Sequence, residues 1–347
     1  MATRFHTPAV RVNNGVRIAF HRNLLRWYRR HHRQLPWRAI RDPYRIWVSE
    51  IMLQQTRVET VRPYYARWLR AFPTVRTLAR AADDRVLKFW EGLGYYSRAR
   101  NLHRAARIVV RDHAGKLPST VEGLRALPGI GRYTAGAIAS IAFGERVPVV
   151  DGNVARVFAR IFAISANVKS PVTMESLWNL AEGLLPDTDA GEFNQALMEL
   201  GALVCTPTSP QCEICPMRRV CAARARSLVD RLPNRGDKPM TVQLTTRTAL
   251  VRRGGRILLR RRPESGLLAD FWELPEADKQ HFRVGRQLCE VRHAITHHRI
   301  VLRVHECALT FNIRSNGQWR WASRANLKTL ALPAAHRRAL ERILSAQ

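Results

Sequence analysis

The chain has 347 residues, 46% of them hydrophobic, with 58 Lys and Arg against 27 Asp and Glu for a formal net charge of +31. That length and apolar content suffice for two domains with cores of their own, and with no long apolar run neither a membrane-spanning segment nor a signal peptide with a long apolar centre is expected. The charge points to a polyanion, with nucleic acid as the natural partner, although arginine runs such as Arg260-Arg261-Arg262 also occur as plain solvated surface.

The first forty residues are arginine-rich and carry no acid, as in a transit peptide, yet Leu24, Leu25, Trp27 and Tyr28 read as a folded amphipathic helix, so a soluble cytoplasmic protein is expected, nucleoid-associated if the host is a bacterium. From about residue 20 to 221 the pattern is mainly α. Asp42-Pro43 is a start signal for a helix carrying Ile46, Trp47, Ile51 and Leu53. Further helices are predicted over Val61 to Ala71, Asp83 to Trp90, Ala99 to His113, Thr134 to Phe143 and Asn194 to Cys205. Polar residues ending in Leu232-Pro233-Asn234-Arg235-Gly236-Asp237-Lys238-Pro239 read as a linker, giving boundaries of 1–226, 227–240 and 241–347. The texture then turns α+β. Thr241 to Val251 and Ile257 to Leu259 are β-prone around a Gly254-Gly255 turn, further strands are predicted at Arg299 to Thr310 and Gln318 to Trp321, and a helix closes the chain from about Ala334.

Chemistry concentrates in the first part. Leu127-Pro128-Gly129-Ile130-Gly131 opens a helical run, and glycines there let backbone N–H groups approach a phosphate at a helix N-terminus. About twenty residues on, Val150-Asp151-Gly152-Asn153 follows an apolar run and starts a helix through Val154, Val157, Phe158 and Ile161. On spacing alone the glycines read equally as an ordinary turn and Asp151 as an N-cap. Cys205, Cys212, Cys215 and Cys221 form a compact set of soft ligands, for which disulfides, a tetrathiolate zinc and a [4Fe-4S] cluster compete; a single CxxC pair tilts the choice toward iron–sulfur. Cys289 and Cys307 lie outside the set and read as ordinary thiols.

Five motifs in one order resemble the helix-hairpin-helix DNA glycosylases with an iron–sulfur cluster, and within them the adenine glycosylases of the MutY type. They are Leu35-Pro36-Trp37-Arg38 with Ser49-Glu50-Ile51-Met52-Leu53-Gln54-Gln55-Thr56, Gly92-Leu93-Gly94-Tyr95-Tyr96, the glycine hairpin, Val150-Asp151-Gly152-Asn153, and the four cysteines. The resemblance implies a [4Fe-4S] cluster on those cysteines and duplex DNA bearing an adenine mispair as the partner of a monomer. In strand-cleaving relatives the residue two after the second hairpin glycine is a nucleophilic lysine; here it is Tyr133, which implies hydrolysis by water without strand cleavage. Glu50 is then the general acid that protonates adenine at N7, and Asp151 stabilises the sugar cation, with Tyr133 and Asn153 orienting Asp151 and the water. The resemblance places Arg33, Arg38 and Gln195 around the base and Gln55, Leu93 and Tyr95 at the gap left in the stack; Trp37, Ile51 and Leu53 are apolar material for a pocket around Glu50 and the base, and the hairpin puts Leu127, Gly129 and Gly131 on a phosphate. The second part, through Leu267 to Glu276, resembles a Nudix-type fold for reading 8-oxoguanine, without the clustered glutamates that hydrolysis needs. Where the family's lesion loop runs Phe-Ser-His, this chain has Ile295-Thr296-His297, keeping a hydroxyl and a donor but losing the aromatic contact. The expected activity is excision of adenine opposite 8-oxoguanine or guanine; the alternatives are an endonuclease III-like glycosylase and lyase for oxidised pyrimidines, and a mismatch-binding protein without catalysis.

Overall fold

The computed structural model describes residues 12–38, 40–236, 240–263, 268–295 and 297–345. Internal contacts divide the chain into two compact units, Met1–Val58 with Ile108–Asp237, and Glu59–Arg107 with Lys238–Gln347. Residues 59–107 thus group with the C-terminal part, a partition that sequence periodicity does not reveal.

The first unit is helical. Asn14–Ile18, a π-turn over Ala19–Leu24 and Leu25–His31 form one run that buries Phe20, Leu24 and Tyr28. Phe20 packs edge-on to Phe158 at 6.1 Å and stacks on Phe162 at 6.2 Å. Pro43–Leu53 begins where the sequence indicates, because Asp42 accepts from the N–H groups of Tyr44 and Arg45. The helices Arg132–Ala142, Gly152–Ile161 and Ala190–Leu203 surround the catalytic candidates. Pro171–Leu184 has no counterpart among the sequence predictions, although Ser170, which accepts from Thr173 N–H, and Pro171 form an ordinary start signal. Much of the stretch expected as a linker is held by hydrogen bonds: Val168 N–H donates to Asn234 O at 2.9 Å and Arg160 Nε to Leu232 O at 2.9 Å.

The second unit contains the helices Val58–Ala71, Val75–Ala79 and Asp83–Trp90, most of Ser97–Asp112, and two sheets. Its strands are β1 (Val242–Leu250), β2 (Arg252–Arg253), β3 (Arg256–Arg261), β4 (Trp272–Glu273), β5 (Phe282–Ile295), β6 (His298–Leu309) and β7 (Trp319–Ala322). One sheet runs β1-β6-β5, with β1 parallel to β6; the other runs β2-β3-β4 with β7 also on β3. Gly254 and Gly255, both at positive φ, make the β2–β3 turn that the sequence indicates. Strand β5 escapes the sequence reading because Arg283, Arg286 and Arg292 interrupt its apolar pattern and most of its side chains are exposed or half-buried. The helix Ala334–Ser345 buries Ala335, Ala339, Leu340 and Ile343 in a core with Leu259, Leu302 and Val304. Among the described residues no helix is long and apolar enough to cross a membrane.

Candidate active site

The glycine hairpin sets up the first contact. Gly129 takes φ +80°, a conformation that L side chains adopt only with strain, and the chain then turns into Arg132–Ala142 with Gly131 as N-cap. Tyr133 falls in the first turn, and its hydroxyl donates to Glu50 Oε2 at 2.7 Å and lies 3.2 Å from Met198 Sδ. Where the sequence reading has Tyr133 orient Asp151, the structure gives its hydrogen bond to Glu50. Glu50 lies on Pro43–Leu53 with 6% of its surface exposed. Burial pushes its carboxyl up to about 7, Asp151 pushes the same way, and the Tyr133 hydroxyl and Arg38 pull against it.

Asp151 is the N-cap of Gly152–Ile161, and the cap geometry is what aims it. Oδ1 accepts from the N–H groups of Asn153 at 2.9 Å and Val154 at 2.7 Å, while Asn153 Nδ2 donates to Oδ2 at 2.8 Å. Burial raises its carboxyl above the ordinary value, opposed by these three donors and by Arg156. Arg156 does not stand out in the sequence, yet its Nη2 donates to Asn153 Oδ1 at 2.9 Å and its Nε to Cys205 O at 2.7 Å. That fixes the amide so that its N–H group faces Asp151. A Cβ on Gly201 would come within 2.7 Å of Asn153 Cβ, so only glycine lets Ala190–Leu203 pass this close.

Arg33 and Arg38, expected around the base, are brought together by a residue that sequence reasoning missed. Glu199 has no exposed surface. It accepts from Arg33 N–H at 2.8 Å, Arg33 Nε at 3.0 Å, Arg33 Nη2 at 2.7 Å, Arg38 Nη1 at 2.8 Å and Arg38 Nη2 at 2.5 Å. Trp37 between them is buried and Leu53 half-buried. Gln195 lies on the same helix as Glu199 and accepts from the Tyr28 hydroxyl at 3.4 Å.

Gln55 is exposed with φ +54°, and Tyr95, 45% exposed, has φ +46°. Both residues expected at the gap in the stack thus sit on strained, accessible backbone. Leu93, grouped with them from the sequence, is instead 5% exposed, its carbonyl held by Arg98 Nη2 at 3.1 Å. Leu127 is likewise buried and its N–H donates to Leu124 O, so it shapes the hairpin and offers no free donor to a phosphate. A Cβ on Gly131 would meet nothing within 4 Å, so the protein's own packing does not demand glycine there. In the second unit Ile295 pairs with His298 at the β5–β6 tip, and His297 is exposed there; Thr296 lies outside the described residues.

Cys205, Cys212, Cys215 and Cys221 are free thiols that line one cavity with Val157, Arg160 and Leu200. Burial pushes Cys215 up to about 12, with the neighbouring thiols adding to the rise, and raises Cys212 and Cys221 as well. Thiols raised in this way keep their protons unless a metal centre takes their place, and four sulfur donors on one cavity suit a thiophilic group. Among the described residues no group of three or more His, Cys, Asp or Glu is arranged to hold a single metal ion. Three carboxylates of the second unit are held by basic partners: Glu273 accepts from Arg262 at 2.6 Å, Asp278 contacts His281 at 2.7 Å and Glu290 accepts from Arg292 and Arg303.

Residues 48–182 match the family model of the HhH-GPD superfamily base excision DNA repair proteins, and residues 247–342 match that of the NUDIX domain. The chain is 39% identical over 366 residues to an adenine DNA glycosylase of Homo sapiens, covering 84% of this chain and 67% of that protein. Among solved structures, a thermostable thymine-DNA glycosylase matches with a TM-score of 0.57 and 31% identity, over 61% of this chain and 98% of that one. A trapped endonuclease III–DNA covalent intermediate matches with a TM-score of 0.55 at 20% identity, over 63% and 99% of the two chains, a likeness of fold.

Proposed function

The chain belongs to the adenine DNA glycosylases, and from that premise we propose that it hydrolyses the N-glycosidic bond of adenine mispaired with 8-oxoguanine or guanine in duplex DNA, leaving an abasic site and an intact strand. The observation that carries the reading is a pair of buried acids with different partners: Glu50, pushed up to about 7 by burial, and Asp151, also raised by burial but opposed by three donors at a helix N-terminus. Two carboxyls whose surroundings differ in this way divide into a proton donor and a charge stabiliser.

The base is reached by rotating the nucleotide out of the stack, at a cost of about a few kcal/mol. Gln55 and Tyr95 occupy the gap, with Leu93 as the buried footing of the Tyr95 loop. Backbone N–H groups around Gly129 and Gly131 hold a phosphate, for which the open space at Gly131 leaves room; Leu127 anchors that turn. Arg33, Trp37, Arg38, Leu53 and Gln195 enclose the adenine. Glu50, steadied by Tyr133, gives its proton to N7 and makes adenine a better leaving group. Asp151, ionised and oriented by Asn153, stabilises the positive charge that develops on the sugar while water attacks the anomeric carbon. The lyase alternative needs an amine at position 133, where this chain has a phenol bound to Glu50.

Cys205, Cys212, Cys215 and Cys221 hold a [4Fe-4S] cluster. When bound, such a cluster supplies a compact crosslink among four thiolates and a redox-active centre. Residues 241–347 read the lesion through Thr296 and His297, residues 1–226 carry the glycosylase, and 227–240 join them in a monomer of the cytoplasm and nucleoid. Glu50→Gln and Asp151→Asn are each expected to abolish excision while leaving duplex binding largely intact. Substantial turnover in either variant contradicts the assignment.

A further inference from the structure

We propose that Glu199 is a positioning residue of the base pocket: its buried carboxylate fixes the guanidinium groups of Arg33 and Arg38, the second of which acts on Glu50, and cancels one of their two charges. The inference rests on the reading of Glu50 as the general acid.

Five hydrogen bonds converge on this one carboxylate, three from Arg33 and two from Arg38. A carboxylate without exposed surface is costly unless its charge is met by well-placed partners, and both arginines present a planar fork to it. Burial alone would raise its pKa, but Arg38 and Arg33 hold it down to about 2, so it stays ionised wherever the enzyme works. Arg38 is fixed on a further side, with its guanidinium 5.5 Å from the centre of the Tyr28 ring. The two side chains keep 29% and 11% of their surface exposed, so neither is sealed into the interior with Glu199.

The arrangement also sets the charge that Glu50 meets. The groups acting on Glu50 are Tyr133 from Arg132–Ala142, Asp151 at the start of Gly152–Ile161, and Arg38 from the turn after Leu25–His31. Behind Arg38 stand Glu199 and Arg33. With Glu199 present, two cations are balanced by one anion. If Glu199 loses its charge, both cations act uncancelled, the ionised form of Glu50 is favoured, and the acid loses its proton at lower pH.

The test is the pH dependence of single-turnover adenine excision, from about pH 5 to about pH 9, for the full-length enzyme, Glu199→Gln and Arg38→Gln. In Glu199→Gln the alkaline limb is expected to move down by roughly one pH unit; in Arg38→Gln, which removes a cation, it is expected to move up by a similar amount. A Glu199→Gln enzyme slowed by the same factor at every pH, with its limb unmoved, overturns the proposal and leaves Glu199 a structural residue. Should that variant fail to fold, Arg38→Gln decides: a limb that stays in place or moves down overturns the proposal. A wild-type enzyme that excises adenine with no alkaline limb overturns the assignment of Glu50 itself and takes this inference with it, so the two failures are distinct.

Discussion

Glu50→Gln should stabilise the protein at alkaline pH while it removes the chemistry. The Glu50 carboxyl moves from an ordinary value of 4.5 to about 7 on folding, chiefly because burial disfavours its charged form. Below pH 4.5 the group is protonated in both folded and unfolded states and costs nothing. As pH rises the unfolded chain releases the proton first, and above about pH 7 the folded state carries the full penalty, about 3 kcal/mol at roughly 1.4 kcal/mol per pH unit. Glutamine is a neutral isostere whose carbonyl can still accept from Tyr133. Urea unfolding at about pH 5 should give the two proteins stabilities within about 1 kcal/mol, and at about pH 8 should favour the variant by about 2 to 3 kcal/mol, with unchanged m-values. Equal stabilities at both pH values, or a wild type that is the more stable at pH 8, would refute the claim that burial holds the proton on Glu50.

Tyr133→Phe removes a hydrogen bond that pulls Glu50 down, so the alkaline limb of its excision profile should move to higher pH; a shift to lower pH contradicts the contact seen here. Gly129→Ala places a Cβ on a residue at φ +80°, which should cost about 1 to 2 kcal/mol in denaturant unfolding and weaken duplex binding at fixed salt; unchanged stability contradicts the hairpin geometry. Cys215→Ser removes one of the four thiols, so the broad visible absorbance of an iron–sulfur protein should be lost and the unfolding midpoint lowered; a colourless wild type with stoichiometric zinc contradicts the cluster. Arg337→Ala leaves Glu91 with Lys88 as its remaining partner and should destabilise the protein by about 1 to 3 kcal/mol in the same assay, whereas a neutral result contradicts the pairing with Arg337.

Elements whose sequence carries both a start signal and an apolar stripe were legible. Asp83–Trp90 has its acids in the first turn and Val86, Leu87 and Trp90 on one buried face, and Asp42-Pro43 opens Pro43–Leu53. Strand β5 was illegible because its arginines face solvent from the edge of a three-stranded sheet, so no alternation survives. The candidate acids, and Asn153 beside Asp151, were visible as motifs, but the buried charged groups around them were not. In the run Ala196 to Cys205, Glu199 looks like one polar residue on an apolar helix, and only the approach of Arg33 and Arg38, more than 150 residues earlier, shows why a carboxylate lies fully buried there. Arg156 stands between Ala155 and Val157 with no motif to mark it, yet it spans Asn153 and the Cys205 carbonyl. Tyr133 was identifiable by the amine it lacks, and its actual partner, Glu50, lies 83 residues away.

The central claim is removal of adenine by water, and it is tested most directly by single-turnover cleavage of a duplex labelled on the adenine strand, with adenine opposite 8-oxoguanine, analysed with and without hot alkali. Strand breaks that appear only after alkali are the predicted result, since hydrolysis leaves an abasic site in an intact strand. Breaks that appear without alkali, or none at all despite tight binding, would contradict it.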